Sequence, residues 1–102
     1  MTSFQELCYQ KLTTHVPAGK VISYKNLAIL IGKPNASRAV GNAMNKNPFA
    51  PKVPCHRVIK SNGHVGGYIN GSKIKISLLK KEGVEINDNG FVTNLENILP
   101  NV

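Results

Sequence analysis

The chain has 102 residues, with 13 Lys plus Arg against five Asp plus Glu and a formal charge of +8 at pH 7. That length supports one small hydrophobic core and not two; no apolar run is long enough to span a bilayer, no signal-peptide pattern opens the sequence, and its two cysteines sit in contexts too different to suggest a disulfide framework. The expectation is a single domain in a reducing compartment, cytoplasmic or nuclear, without a membrane partner, whose basic charge suits a polyanion, nucleic acid first.

Ser3 to Thr13 reads as the first helix, capped by Thr2 or Ser3, with Glu6 at the capping-box acid position. Phe4, Leu7, Cys8 and Leu12 form one apolar stripe, which assigns Cys8 to the core. Pro17-Ala18-Gly19-Lys20 is a turn, and Val21-Ile22 is a short strand or an extended lead-in. Ser23 caps a helix running to about Ile31, with Leu27, Ala28 and Ile31 facing inward. After the break at Gly32-Lys33-Pro34-Asn35, Asn35 caps a helix over roughly Ala36 to Asn45. Short helices joined through a glycine-containing turn suggest a helix-turn-helix. The second of them is built from small residues around one long cation, Arg38. Glycine inside a helix costs about 1 kcal/mol relative to alanine. Gly41 therefore implies a close approach to the backbone, by a ligand or by a neighbouring helix.

Asn45 to Pro54 is a proline-punctuated connection carrying Asn47-Pro48. Val58-Ile59, the turn Ser61-Asn62-Gly63 and His64-Val65 read as a small hairpin or wing. Gly66 to Gly71 is a flexible loop holding one aromatic, Tyr68, and Ser72 to Glu82 is the last clear helix, stopped by Gly83. Leu78, Leu79 and Glu82 share a face, so Glu82 points either inward, toward His56 as a partner, or into solvent. Residues 84–93 can form a hairpin around Asn87-Asp88-Asn89-Gly90, and residues 95–102 receive no assignment. The fold class expected is mainly α with a small β wing, a winged helix-turn-helix-like DNA-binding domain with its core at about 3–86 and a C-terminal extension over 87–102.

Chemistry concentrates in Val53-Pro54-Cys55-His56-Arg57-Val58. A free thiol titrates near ~8.5, so only a few per cent is thiolate at neutral pH. His56 and Arg57 can raise that fraction. Most free cysteines are buried fillers, but the polar neighbours of Cys55 set it apart. A structural zinc site needs about four ligands at recognisable spacing; His15, His64 and Cys8 are isolated, and no metal site is expected.

Gly19-Lys20-Val21-Ile22-Ser23-Tyr24, Ser37-Arg38-Ala39-Val40-Gly41, Asn47-Pro48, Pro54-Cys55-His56-Arg57-Val58, Gly66-Gly67-Tyr68 and Glu82-Gly83 occur in this order. Together they resemble the C-terminal domain of the O(6)-alkylguanine-DNA alkyltransferases, also called methylated-DNA–protein-cysteine methyltransferases, over about residues 3 to 86. The resemblance implies irreversible, single-turnover transfer of an alkyl group from guanine to the protein's own cysteine, with no cofactor. Cys55 would be the nucleophile and His56 the base through a bridging water. Glu82 would orient His56 and favour its charged form. Tyr68 would donate to a ring nitrogen of guanine, and Asn47 would hold the segment leading to the site. Val58, Gly67 and Ile69 would line the base pocket.

The same resemblance implies a monomer bound in the minor groove of double-stranded DNA, with the alkylated guanine rotated out of the stack. Arg38 would fill the vacated stack, Tyr24 would press on the phosphate 3′ to the target, and Ser37, Ala39 and Gly41 would form a narrow helix face against the groove. Two departures stand out. The N-terminal domain common in the family is expected to be absent, as in the alkyltransferase-like proteins, which bind alkylated DNA without repairing it and usually carry tryptophan where this chain has Cys55. Ile69 and Asn70 replace smaller or more polar residues, which bears on the alkyl groups the pocket accepts.

Overall fold

Thr2 starts the first helix. Its Oγ1 accepts from the Gln5 amide at 3.1 Å, and Gln5 Oε1 accepts from the Thr2 amide at 2.9 Å. The capping box therefore uses Gln5 and not Glu6, because Thr2 is the N-cap and the third helical position falls on Gln5. The computed structural model describes residues 2–99. In chain order its elements are α1 (Ser3–His15), β1 (Ile22–Ser23), α2 (Tyr24–Leu30), α3 (Ser37–Asn45), a 3-10 turn (Cys55–Arg57), β2 (Val58–Ile59), α4 (Ser72–Lys81) and a second 3-10 turn (Leu95–Asn97). This is a helical domain with a small β wing.

Ser23 caps α2 by accepting from the Asn26 amide at 3.0 Å. Asn35 does not cap α3. The preceding turn is closed by the Ala36 amide on the Lys33 carbonyl, which puts Ala36 at the cap position without a side-chain bond.

The wing differs from a local hairpin. β2 pairs in parallel with β1, Ile22 opposite Val58 and Ser23 opposite Ile59. The turn at 61–63 does form, closed by the Lys60 amide on the His64 carbonyl at 2.9 Å, but its second arm pairs elsewhere. His64 bridges Phe91 antiparallel, while Ile86 bridges Val92 within the hairpin of residues 84–93. The unassigned tail also has a place. Val21 bridges Ile98 in parallel, with the Leu99 amide donating to the Val21 carbonyl at 2.7 Å. Residues 100–102 lie outside the described ones.

The paired strands separate two apolar clusters. Ile22 and Val58 face the cluster built from α1, α2 and α3, which includes Cys8, Leu12, Leu27, Val40 and Cys55. Val21 and Ile59 face the cluster of Val65, Leu79, Val84 and Val92 under α4. Alternation along a strand sends neighbours to opposite faces, so this minimal sheet serves both cores and sets Cys55 at the rim of one of them.

Candidate active site

Pro54 leads into the 3-10 turn that carries Cys55, held by the Arg57 amide donating to the Pro54 carbonyl at 2.9 Å. Asn47 braces the approach. Its Nδ2 donates to the Val53 carbonyl at 2.9 Å and its Oδ1 accepts from the Phe49 amide at 2.9 Å. Cys55, His56 and Asn47 are each 2% exposed.

His56 Nε2 lies 3.1 Å from Glu82 Oε2. A carboxylate only accepts, so Nε2 carries the proton and Nδ1 is bare. That buried Nδ1 has no partner among the described residues. Burial pushes the imidazole below its ordinary value, against the opposing hydrogen bond and charge of Glu82, so the ring is a neutral base at pH 7. Arg57 meets Glu82 with two bonds, Nε to Oε1 at 3.0 Å and Nη2 to Oε2 at 2.7 Å, while its Nη1 donates to the Val16 carbonyl at 2.9 Å. Burial pushes the Glu82 carboxyl up, but Arg57 and His56 outweigh it and hold the group below the usual carboxylate range.

Two expectations change: Arg57 does not spend its charge on the thiol, and Glu82 does not hold His56 in its charged form. Arg57 is committed to Glu82 and Val16, and His56 is neutral. The cation in the field of Cys55 is Lys75, which sequence reasoning missed. Lys75 is fully buried. Its Nζ donates to the Val58 carbonyl at 2.7 Å and the Gly67 carbonyl at 2.9 Å, and stands 5.8 Å from the Tyr24 ring centroid. Burial brings its pKa down to about 8, with the Cys55 charge opposing. The thiol itself is pushed up by burial, against the Asn47 side chain and the charge of Lys75. Helical spacing held the clue, since Lys75, Leu79 and Glu82 fall at i, i+4 and i+7 on one stripe.

Tyr68 sets its ring edge-on to His56, centroids 6.4 Å apart at 84°. Its hydroxyl is buried with no partner among the described residues. Burial and the Cys55 charge raise its pKa, so the phenol keeps its proton and can donate. Val58 and Gly67 offer backbone here, and both carbonyls are taken by Lys75. Ile69 is 41% exposed.

A separate open groove runs between α2, α3 and the wing turn, lined by Tyr24, Lys25, Ser37, Arg38, Gly41 and Lys60 among others. Ala39 does not line it; it is exposed beside Arg38 of α3 and Asn35, which precedes the helix. Tyr24 joins the two regions. A Cβ added at Gly41 would meet its Cδ1 at 4.0 Å, and one added at Gly66, in the Tyr68 loop, would come within 3.8 Å of its hydroxyl. Among the described residues no group of three or more His, Cys, Asp or Glu side chains could hold a metal ion. No described helix is long and apolar enough to cross a membrane.

Residues 3–84 match the family described as 6-O-methylguanine DNA methyltransferase, DNA binding domain. A methylated-DNA–protein-cysteine methyltransferase of Methanosarcina barkeri is 49% identical over 81 residues, which is 79% of this chain and 51% of that protein. The Homo sapiens protein of the same name is 47% identical over 89 residues, covering 87% and 43%. The crystal structure of Mycobacterium tuberculosis OGT in complex with DNA superposes with a TM-score of 0.78 at 45% identity, over 80% of this chain and 50% of that one. S. pombe Atl1, in complex with damaged DNA containing O6-carboxymethylguanine, aligns over 98% of this chain and 97% of its own with a TM-score of 0.82 at 31% identity. The chain thus spans about half the length of the curated methyltransferases it matches. With the Cys55 cluster behind Tyr24 and the groove of α3 in front of it, and with this match over most of its length, the chain belongs to the 6-O-methylguanine DNA methyltransferase family.

Proposed function

We propose that this chain, as a single domain, reverses O6-alkylation of guanine in double-stranded DNA by taking the alkyl group onto Cys55. The cysteine proton passes to His56 Nδ1 through a bridging water. The sulfur–carbon bond forms as the carbon–O6 bond breaks, and the electrons of that bond leave with guanine. Tyr68 donates a hydrogen bond to the base as negative charge builds there, where it lowers the barrier most. The thioether is the end product, so each molecule acts once and no cofactor takes part. The groove of Arg38, Tyr24, Ser37 and Gly41, with Ala39 beside it, receives the minor groove of DNA, and the target nucleotide rotates out because a buried thiol cannot reach a stacked base. The protein acts as a monomer in the cytoplasm, or in the nucleus of a eukaryote.

The observation that carries this reading is the buried Cys55 next to a neutral His56 whose proton position is fixed by Glu82. A second reading, lesion binding without transfer, draws support from the alignment with Atl1 over nearly the whole of both chains. One experiment separates them. The protein is incubated with a duplex carrying a single O6-methylguanine, and intact and peptide mass spectra are recorded. Transfer adds one methyl group to the Cys55 peptide, never exceeds one equivalent, and is abolished by Cys55→Ala. Tight lesion binding by folded, reduced and unmodified protein would overturn transfer and leave the second reading.

A further inference from the structure

We propose that His64 is a positioning residue for the Tyr68 loop, seated by the C-terminal hairpin around Phe91. The inference rests on reading Tyr68 as the donor to the departing base.

The loop begins Gly66-Gly67-Tyr68, and glycines lose more backbone freedom on ordering than any other residue. Ordering such a stretch is entropically costly, so a donor carried on paired glycines needs external anchors. Two side chains supply them. Lys75 Nζ holds the Gly67 carbonyl at 2.9 Å. His64 Nδ1 accepts from the Gly66 amide at 3.0 Å. The first anchor comes from α4, within the family match at 3–84; the second depends on residues beyond it.

The hairpin leaves the His64 ring little choice of position. Phe91 packs against it edge-on, centroids 5.1 Å apart at 83°. Backbone bonds lock the same stretch, the Val65 amide on the Gly90 carbonyl and the Val92 amide on the Gly63 carbonyl, both at 2.9 Å. Gly90 is required twice over, since its φ is +84° and a Cβ there would stand 2.8 Å from His64 Nε2. Because Nδ1 accepts from Gly66, it is bare and the ring proton sits on Nε2. The hairpin thereby presents one particular nitrogen to the loop.

Asparagine and glutamine separate this role from simple packing. Asn Oδ1 stands near the place of Nδ1 and can take the Gly66 amide, whereas Gln Oε1 stands near Nε2 and cannot. We measure single-turnover transfer from the O6-methylguanine duplex, equilibrium affinity for that duplex, and hydrogen exchange at the Gly66 amide. The samples are the wild type, H64N, H64Q and H64A, each checked by thermal melt. H64Q and H64A should transfer about tenfold more slowly, as misplacement of a reacting group does, with lesion affinity within about threefold of wild type and faster Gly66 exchange. H64N should recover most of the rate and the protection. Wild-type rates in H64Q, or H64N as slow as H64A, would overturn the proposal. If H64A fails to fold, the H64N and H64Q pair still decides. A wild type that never transfers would instead sink the functional reading, while Gly66 exchange continues to report on the anchor.

Discussion

Burial raises the Cys55 thiol above its ordinary value, so in the proposed transfer a base has to take its proton. His56 and Glu82 are suited to that task, and their shifts give a stability profile with a definite sign. Both groups bind protons less readily in the folded state than in the unfolded one. Acidification therefore costs stability, first as pH falls below the ordinary histidine value near 6.5, then through the carboxylate range below about 4.3. Glu82→Gln should lower stability at pH 7 by on the order of 3 kcal/mol, because Arg57 is left without its counter-charge, and should flatten the loss below about pH 4.5; urea titrations at several pH values check both. Lys75→Met should destabilise by about 1–3 kcal/mol, the cost of leaving the buried Val58 carbonyl unsatisfied. It should also slow the proposed alkyl transfer by removing a positive charge that favours the Cys55 thiolate. A variant with wild-type melting and rate would show that Lys75 does neither. Cys55, His56 and Glu82 were legible as adjacent motif residues and a helical face. Lys75 was not, because a fully buried lysine contradicts the usual reading of lysine as surface. Only the bonds to Val58 and Gly67 reveal what it does.

Among the elements, α3 carries the sharpest test. Gly41 sits in its interior, and an added Cβ would make only an ordinary contact with Tyr24 at 4.0 Å. Helix packing thus leaves room for alanine. Gly41→Ala should raise stability by about 0.5–1 kcal/mol and weaken binding to duplex DNA. Unchanged affinity in a filter or anisotropy titration would mean that no ligand approaches this backbone. The starts of α1 and α2 followed from their caps and the end of α4 from Gly83, which are local signals, whereas α1 runs two residues past Thr13 to His15. β1 and β2 are strands of two residues each, from distant parts of the chain. No local pattern announces a parallel pairing between Ile22 and Val58, so the wing looked like a self-contained hairpin. The cap of α3 failed for a smaller reason, as backbone turn closure at Ala36 displaced Asn35 from the position its side chain suits.

Across the molecule, the tail closes the structure back onto its beginning. Asn97 Nδ2 donates to the Gly19 carbonyl at 2.7 Å, and Ile98 packs against the cluster that contains Val21 and Ile59. Ile98→Asp should therefore cost on the order of 2 kcal/mol, the price of a polar group without a partner at an apolar face, measured as a lowered melting temperature with the Cys55 reaction retained in the folded fraction. An undisturbed melt would show that the tail is not part of the cooperative unit. The whole-molecule reading has one more corollary, for shelf life. Peroxide and other electrophiles attack thiolates. A cysteine 2% exposed and reluctant to ionise is a poor target for them. Under the proposed transfer, each molecule has only one thiol to spend, and burial keeps that thiol from oxidants that consume more acidic ones.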